Sequence, residues 1–186
     1  MASQSPRRQE LLARIGVEDF KTLSLDIDES YPEGLSPEDT VRYIAKKKCD
    51  AAAALCAPDD LIITADTMVF LDNDRLGKPR DEEDALRMLR ALSGRGHTVC
   101  TGVSVRRGAQ EERFAVSTRV FFRPMTDDEI RAYIKTGEPM DKAGAYGVQS
   151  RGALFVERID GDFFNVMGLP VEQLGLVLAR FGVKLL

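Results

Sequence analysis

Leu61-Ile62-Ile63-Thr64-Ala65-Asp66-Thr67-Met68-Val69-Phe70-Leu71 is apolar at nearly every position and broken by one carboxylate. A continuous apolar run of this length reads as a strand buried on both faces, as in a sheet covered by helices. Asp66 inside it would cost several kcal/mol if left unpaired, so a metal, a cation or a catalytic duty must accompany it. Two readings stand side by side: a buried pair with Lys or Arg, or a reactive carboxylate that holds a hard cation.

Upstream, Ser36-Pro37-Glu38-Asp39 is a cap with proline in the first turn. It opens a helix expected to run to about residue 57, with Val41, Ile44, Ala45, Ala52 and Leu55 on its apolar stripe. Lys48 falls in the middle of that stripe at about 100° per residue. Either its stem lies along the core while the ammonium reaches water, or the helix lines a cleft whose contents are anionic. Leu23, Leu25 and Ile27 alternate with polar residues and predict a half-buried strand, which runs into the acidic corner at Asp26, Asp28 and Glu29. By itself that corner reads as a solvated turn; Glu29 is the nearest candidate to join Asp66 in holding a cation.

At the start of the chain, Ser5 is the expected N-cap, Pro6 the first helical residue and Gly16 the stop of a helix that buries Leu11, Leu12 and Ile15. Arg7 and Arg8 in its first turn oppose the helix dipole, an arrangement that an incoming phosphate would relieve. Two solvated arginines are the plainer reading.

Downstream, Lys78 sits on the restricted turn Gly77-Lys78-Pro79 and is a third candidate phosphate contact. A helix carrying Ala85, Leu86, Leu89 and Leu92 follows, then strands over 98–105 and 114–122 about a turn at Gly108. Thr126 and Glu129 predict a capping box, and Gly137 ends that helix. The small residues of Lys142-Ala143-Gly144-Ala145-Tyr146-Gly147-Val148-Gln149 mark a close backbone approach beside an amide that both donates and accepts. Residues 154–159 and 163–166 are expected as strands flanking an Asp160-Gly161-Asp162 hairpin, and 170–181 as the closing helix. His97, at the mouth of a strand, reads as a structural histidine rather than a base.

The 186 residues carry 26 Lys+Arg and 30 Asp+Glu, a formal charge of −4, and 44% are apolar. This mild acidity, with no tryptophan, argues against a binder of duplex or single-stranded nucleic acid, and a small anionic ligand remains open. Three cysteines without CxxC spacing make neither a disulfide framework nor a zinc site, and cytoplasmic residence is the default expectation. With a single histidine, a metal would sit on carboxylates and would be Mg²⁺ or Mn²⁺. No apolar run is long enough for a membrane span. The alternation of elements without a repeat or linker predicts one α/β domain over 1–186, an elongated mixed β-sheet flanked by helices, with two lobes around a cleft. A homodimer is the expected assembly for a small enzyme.

Six blocks in order, Ala2 to Leu12, Ala65-Asp66-Thr67, Leu76-Gly77-Lys78-Pro79, Leu92 to Val103, Lys142 to Gln149 and Asn165-Val166-Met167-Gly168-Leu169-Pro170, resemble the Maf family of nucleoside triphosphate pyrophosphatases. The resemblance covers essentially the whole chain. It implies an inosine-triphosphatase-like fold, a divalent-cation requirement, and hydrolysis of nucleoside triphosphates to the monophosphate and pyrophosphate. By position, Asp66 is implied as proton acceptor. Arg7, Thr67 and Gln149 match the positions that set the dTTP/UTP branch apart from the branch acting on 7-methyl-GTP. Ser5, Arg8, Glu29, Lys48 and Lys78 match the remaining polar positions of the cleft, with Glu29 and Asp66 as metal ligands and the cations on the phosphates. Two departures are visible: the family usually carries a few more apolar residues before Ala2-Ser3, forming a first strand, and Cys49 stands where alanine is common. A role in septum inhibition is also associated with the family, so a non-catalytic nucleotide-binding regulator is the alternative expectation.

Overall fold

Caps and punctuating glycines set most of the element boundaries in the computed structural model, which describes residues 1–72 and 74–186. Ser36 accepts a hydrogen bond from the Asp39 N–H and opens the helix Pro37–Ala53. The Thr126/Glu129 capping box is formed in full at the start of Asp127–Ile134. Gly137 and Gly108 adopt positive φ at the helix stop and hairpin turn expected of them. In chain order the elements are α1 (Pro6–Arg14), α2 (Pro37–Ala53), β1 (Ile62–Leu71), β2 (Asp74–Leu76), α3 (Glu82–Leu92), β3 (Gly96–Arg107), β4 (Gln110–Phe122), α4 (Asp127–Ile134), β5 (Val156–Asp160), α5 (Phe163–Met167) and α6 (Val171–Arg180). Single 3₁₀ turns lie at Glu138–Asp141, Ala143–Ala145 and Arg151–Phe155. The strands form a five-stranded antiparallel sheet in the order β2-β1-β3-β4-β5, with helices flanking it, an α/β fold as expected.

Four local expectations are corrected. Residues 23–27 are extended but join no strand ladder. Their alternation survives, because Leu23 and Leu25 pack on the cluster of Ala2, Cys49, Ala52 and Ile62 while the Leu23 N–H donates to the Met1 carbonyl. Residues 163–166 belong to helix α5 rather than a strand. Asp162 accepts from the Phe164 N–H at 2.7 Å, and the Asn165 amide reaches inward to the Val99 carbonyl at 3.0 Å and to Thr118 Oγ1 at 2.9 Å. A four-residue run of three apolar residues and one asparagine carries no period that would separate the two structures. Ser5 sits at the α1 N-cap without a capping bond from its side chain; its N–H donates to Ser3 Oγ instead. Helix α2 stops at Ala53 rather than near residue 57: the Leu55 N–H tightens onto the Ala52 carbonyl, and the Ala57 N–H leaves the helix pattern for Asp60 Oδ2 at 2.9 Å.

The chain divides into two compact units. The first comprises Met1–Asp66, Thr101–Val116 and Gly168–Leu186, and the second Thr67–Cys100 and Ser117–Met167. In the first, Leu11 and Leu12 of α1, Val41, Ile44 and Ala45 of α2, Val103 and Val105 of β3, and Leu174 and Leu178 of α6 are buried. In the second, Leu89 and Leu92 of α3 and Ile130, Tyr133 and Ile134 of α4 are buried, as are Phe122 and Phe155.

Two contacts dock α2 on the first unit's strands. Thr64 Oγ1 donates to the Ala45 carbonyl at 2.7 Å, giving a buried hydroxyl its partner. At Gly102 a Cβ would fall 2.3 Å from the Val41 carbonyl carbon and 2.4 Å from its oxygen, so the helix backbone rides directly on the strand. Gly102→Ala should therefore push α2 away and cost about 3 kcal/mol or more, because backbone cannot yield as a side chain does. Urea denaturation of wild type and variant measures this; a loss below about 1 kcal/mol would mean that the helix shifts freely.

Candidate functional site: a lysine shared by two carboxylates and a braced glycine-rich segment

Because α2 lies close on the strands, the stripe position of Lys48, seven residues beyond Val41, carries its ammonium to Asp66. Lys48 Nζ donates to Asp66 Oδ1 at 2.7 Å and lies 2.9 Å from Glu29 Oε1. Asp66 is 6% exposed, whereas the side chain of Glu29 is 56% exposed, so the two carboxylates meet the ammonium from a dry and a wet side. Of the two readings offered for Asp66, the structure shows the buried pair with a lysine. Asp66 Oδ2 is buried and has no hydrogen-bond partner, although a carboxylate oxygen in the interior demands one.

Arg8 reaches the same neighbourhood from the first turn of α1. Its Nε donates to the Gly168 carbonyl at 2.7 Å, and its Nη1 to the Ala65 carbonyl at 2.9 Å and to Ser3 Oγ at 3.3 Å. Burial pushes the guanidinium below its ordinary value, the charge of Asp66 opposes this, and Arg7 adds to it. An arginine remains charged regardless. Arg8 therefore clamps the peptide that precedes Asp66. Arg7 and Ser5 are half-buried on the same turn, and that turn contains no acidic residue to offset the two arginines.

Thr67, Lys78 and Gln149 belong to the second unit. Thr67 is half-buried, and Lys78 and Gln149 are exposed. The turns that carry the latter two are joined, since the Gly144 N–H donates to the Gly77 carbonyl at 3.0 Å. Gly144 has φ +69, and a Cβ there would meet Val69 Cγ2 at 2.8 Å, which accounts for glycine at this position.

Among the described residues no group of three or more His, Cys, Asp or Glu could hold a metal. The donor set nevertheless suits a hard cation that takes one or two carboxylates and completes its shell with substrate phosphates and water. Asp66 Oδ2 is the orphaned oxygen such an ion would satisfy, with Glu29 on the same lysine as its second ligand.

A family model described as Maf-like protein matches residues 1–181. The chain belongs to the Maf family. It is 47% identical over 184 residues to the dTTP/UTP pyrophosphatase of Bacillus velezensis, with 99% of this chain and 96% of the relative covered. It is 46% identical over 188 residues to the dTTP/UTP pyrophosphatase of Syntrophomonas wolfei, covering 100% and 98%, and 47% identical over 189 residues to that of Dictyoglomus turgidum, covering 100% and 97%.

Three residues of this Maf chain that the sequence reading did not connect brace the segment bearing Gln149. His97 Nε2 and the Tyr146 hydroxyl lie 2.8 Å apart, and the His97 ring packs edge-on against Phe122 and Tyr146. Tyr133 Oη accepts from the Gly147 N–H at 3.1 Å and donates to Glu138 Oε1 at 2.8 Å. No periodicity or spacing announces these ties, which join residues far apart in sequence; only the isolated histidine beside a strand was a signal, and a structural role is what it has.

Burial, and secondarily Arg119, lowers the His97 pKa to about 4. The unfolded chain binds a proton near pH 6.5 that the folded chain refuses until about pH 4, so stability falls as pH drops through that window. His97 should account for a loss of about 2 kcal/mol between pH 7.5 and 5, absent in His97→Gln. Urea midpoints of both proteins at the two pH values measure the difference, and equal pH slopes would show that His97 titrates freely.

Proposed function

We propose that this chain hydrolyses pyrimidine nucleoside triphosphates, dTTP and UTP, to the nucleoside monophosphate and pyrophosphate, in the cytoplasm and as nucleotide-pool housekeeping. The observation that carries the reading is the buried Asp66 with one oxygen on Lys48 and the other unpartnered, beside Glu29. The names of the relatives support the same activity.

In this reading Asp66 orients and deprotonates the water that attacks the α-phosphorus; the new bond is from water oxygen to phosphorus, and the bond to the pyrophosphate oxygen breaks. Lys48 holds Asp66 in place and, with Arg7 and Lys78, offsets the charge that develops on the leaving pyrophosphate. Arg8 secures the Ala65 carbonyl next to the reacting carboxylate and adds its charge from behind. A divalent cation such as Mg²⁺ or Mn²⁺ on Glu29 and Asp66 would supply further neutralisation of the phosphates. Gln149 reads the base, its carbonyl accepting from N3–H and its amide donating to O4 of thymine or uracil, a pairing that a purine in the same pose does not offer. Arg7 and Thr67 act with Gln149 in selecting the substrate. A regulator that signals by occupancy alone has no use for a carboxylate buried on a lysine with an oxygen left over, so the catalytic reading is preferred.

Asp66→Asn should lower turnover of dTTP by about 10²- to 10⁴-fold while the protein stays folded. Pyrophosphate release, measured with and without Mg²⁺, decides this; full activity in a folded variant would take Asp66 out of the reaction. Gln149→Glu replaces the amide donor with an acceptor, so the ratio of dTTP to GTP turnover should drop. An unchanged ratio would refute the base contact.

A further inference from the structure

The exposed Gln149 is flanked on both sides by backbone that leads to one carboxylate. Glu138 Oε1 accepts from the Ser150 hydroxyl at 2.6 Å, the Tyr133 hydroxyl at 2.8 Å and the Gly152 N–H at 3.2 Å, while Oε2 accepts from the Arg151 N–H at 3.2 Å. Tyr133 Oη in turn accepts from the Gly147 N–H. Three of the four donors converge on Oε1 and share its lone pairs, while Oε2 takes the fourth. The segment also closes on itself: a Cβ on Gly152 would lie 2.6 Å from the Gly147 carbonyl oxygen and 2.8 Å from Tyr133 Oη.

We infer that Glu138, braced by Tyr133, is the positioning residue for substrate specificity: it holds segment 147–152 as a rigid ring from which Gln149 alone reads the pyrimidine edge. The inference rests on the reading of Gln149 given above. Reading a base by two hydrogen bonds requires the amide to be held within about 0.5 Å, a tolerance that a surface loop lacks unless its own backbone is tied down. Glu138 is half-buried, beyond the end of α4, and touches none of Asp66, Lys48 or Glu29 in the contacts described for those groups. Burial pushes its carboxyl up, but the bonds from Ser150, Tyr133, Gly152 and Arg151 together outweigh this and hold it below the usual carboxylate range, so the brace is charged at neutral pH.

Glu138→Gln keeps the size of the side chain but offers one carbonyl oxygen and places an NH₂ group against N–H donors. Tyr133→Phe leaves the charge and cuts the tie to Gly147, and serves as the second variant should the first fail to fold. Each folded variant should raise KM for dTTP and UTP about 10-fold or more with kcat nearly unchanged, and lower the pyrimidine-to-purine ratio of kcat/KM. The inhibition constant of inorganic tripolyphosphate, which has no base, should stay at the wild-type value. Hydrogen exchange at the amides of 147–152 should accelerate while α4 keeps its protection. Unchanged KM, ratio and exchange in both variants would overturn the inference, as would a parallel rise in the tripolyphosphate constant, which would mark a general distortion. If wild type itself shows no pyrimidine preference, the reading of Gln149 fails, and the exchange data then decide alone whether Glu138 holds the ring.

Discussion

The ammonium of Lys48, shared by Asp66 and Glu29, is the interaction around which the first unit is arranged. A buried ion pair is weak evidence for stability, since taking two charges out of water offsets most of their attraction. The surrounding structure bears the cost of holding it. Glycine at 102 lets the α2 backbone approach β3, Thr64 ties α2 to β1 through the Ala45 carbonyl, and the two together place the stripe of α2 so that Lys48 meets Asp66 rather than water. Replacing the pair with apolar residues of similar volume would satisfy the core more simply. What such a replacement would remove is the orphaned Asp66 oxygen, the one feature of the arrangement that packing does not explain.

The two arginines of the first helical turn pose the same question of cost. An unopposed pair of cations at a helix N-terminus costs a few tenths of a kcal/mol per charge in isolation. Arg8 recovers this through three charge-assisted hydrogen bonds to Ala65, Gly168 and Ser3, and in doing so fixes α1 to the strand that carries Asp66. Its described bonds go to two carbonyls and one hydroxyl of the protein, so what they hold in place is the peptide beside Asp66. Arg7 lies on the same turn and is also half-buried.

The parts of this architecture legible in the sequence are those written in local chemistry. A carboxylate breaking an apolar run marked Asp66, a cation on an apolar stripe marked Lys48, and the caps at Ser36 and Thr126 marked helix starts that the structure reproduces. The errors share a cause. Residues 23–27 have the burial alternation of a strand but no ladder, and 163–166 have the composition of a strand but are wound into a helix by Asp162 and Asn165. In each case a side-chain bond or a neighbouring chain segment decided what periodicity left open. The site followed the same division: residue type singled out Asp66, Lys48 and Glu29 one by one without pairing Lys48 to either carboxylate, and the brace of His97, Tyr133 and Glu138 was invisible, because each contact joins residues chosen by tertiary proximity.

Segment 143–152 shows why such a brace has to exist. It belongs to no strand ladder, so its backbone donors must find partners elsewhere or be left in a largely buried stretch at the full cost of desolvation. The Gly144 N–H goes to Gly77, Ala145 to Lys142, Gly147 to Tyr133, and Arg151 and Gly152 to Glu138. A strand would have satisfied these groups with no side chains at all, but it would also have dictated the direction of residue 149 by the pleat and tied its neighbours to the sheet. The loop leaves that direction to side chains: two tyrosines, one glutamate and one histidine hold residues 144–148 and 152 buried while Gln149 stands exposed. The course of the backbone on either side of the exposed amide is therefore set by polar groups behind it, and a reading of the sequence centred on the amide does not find them.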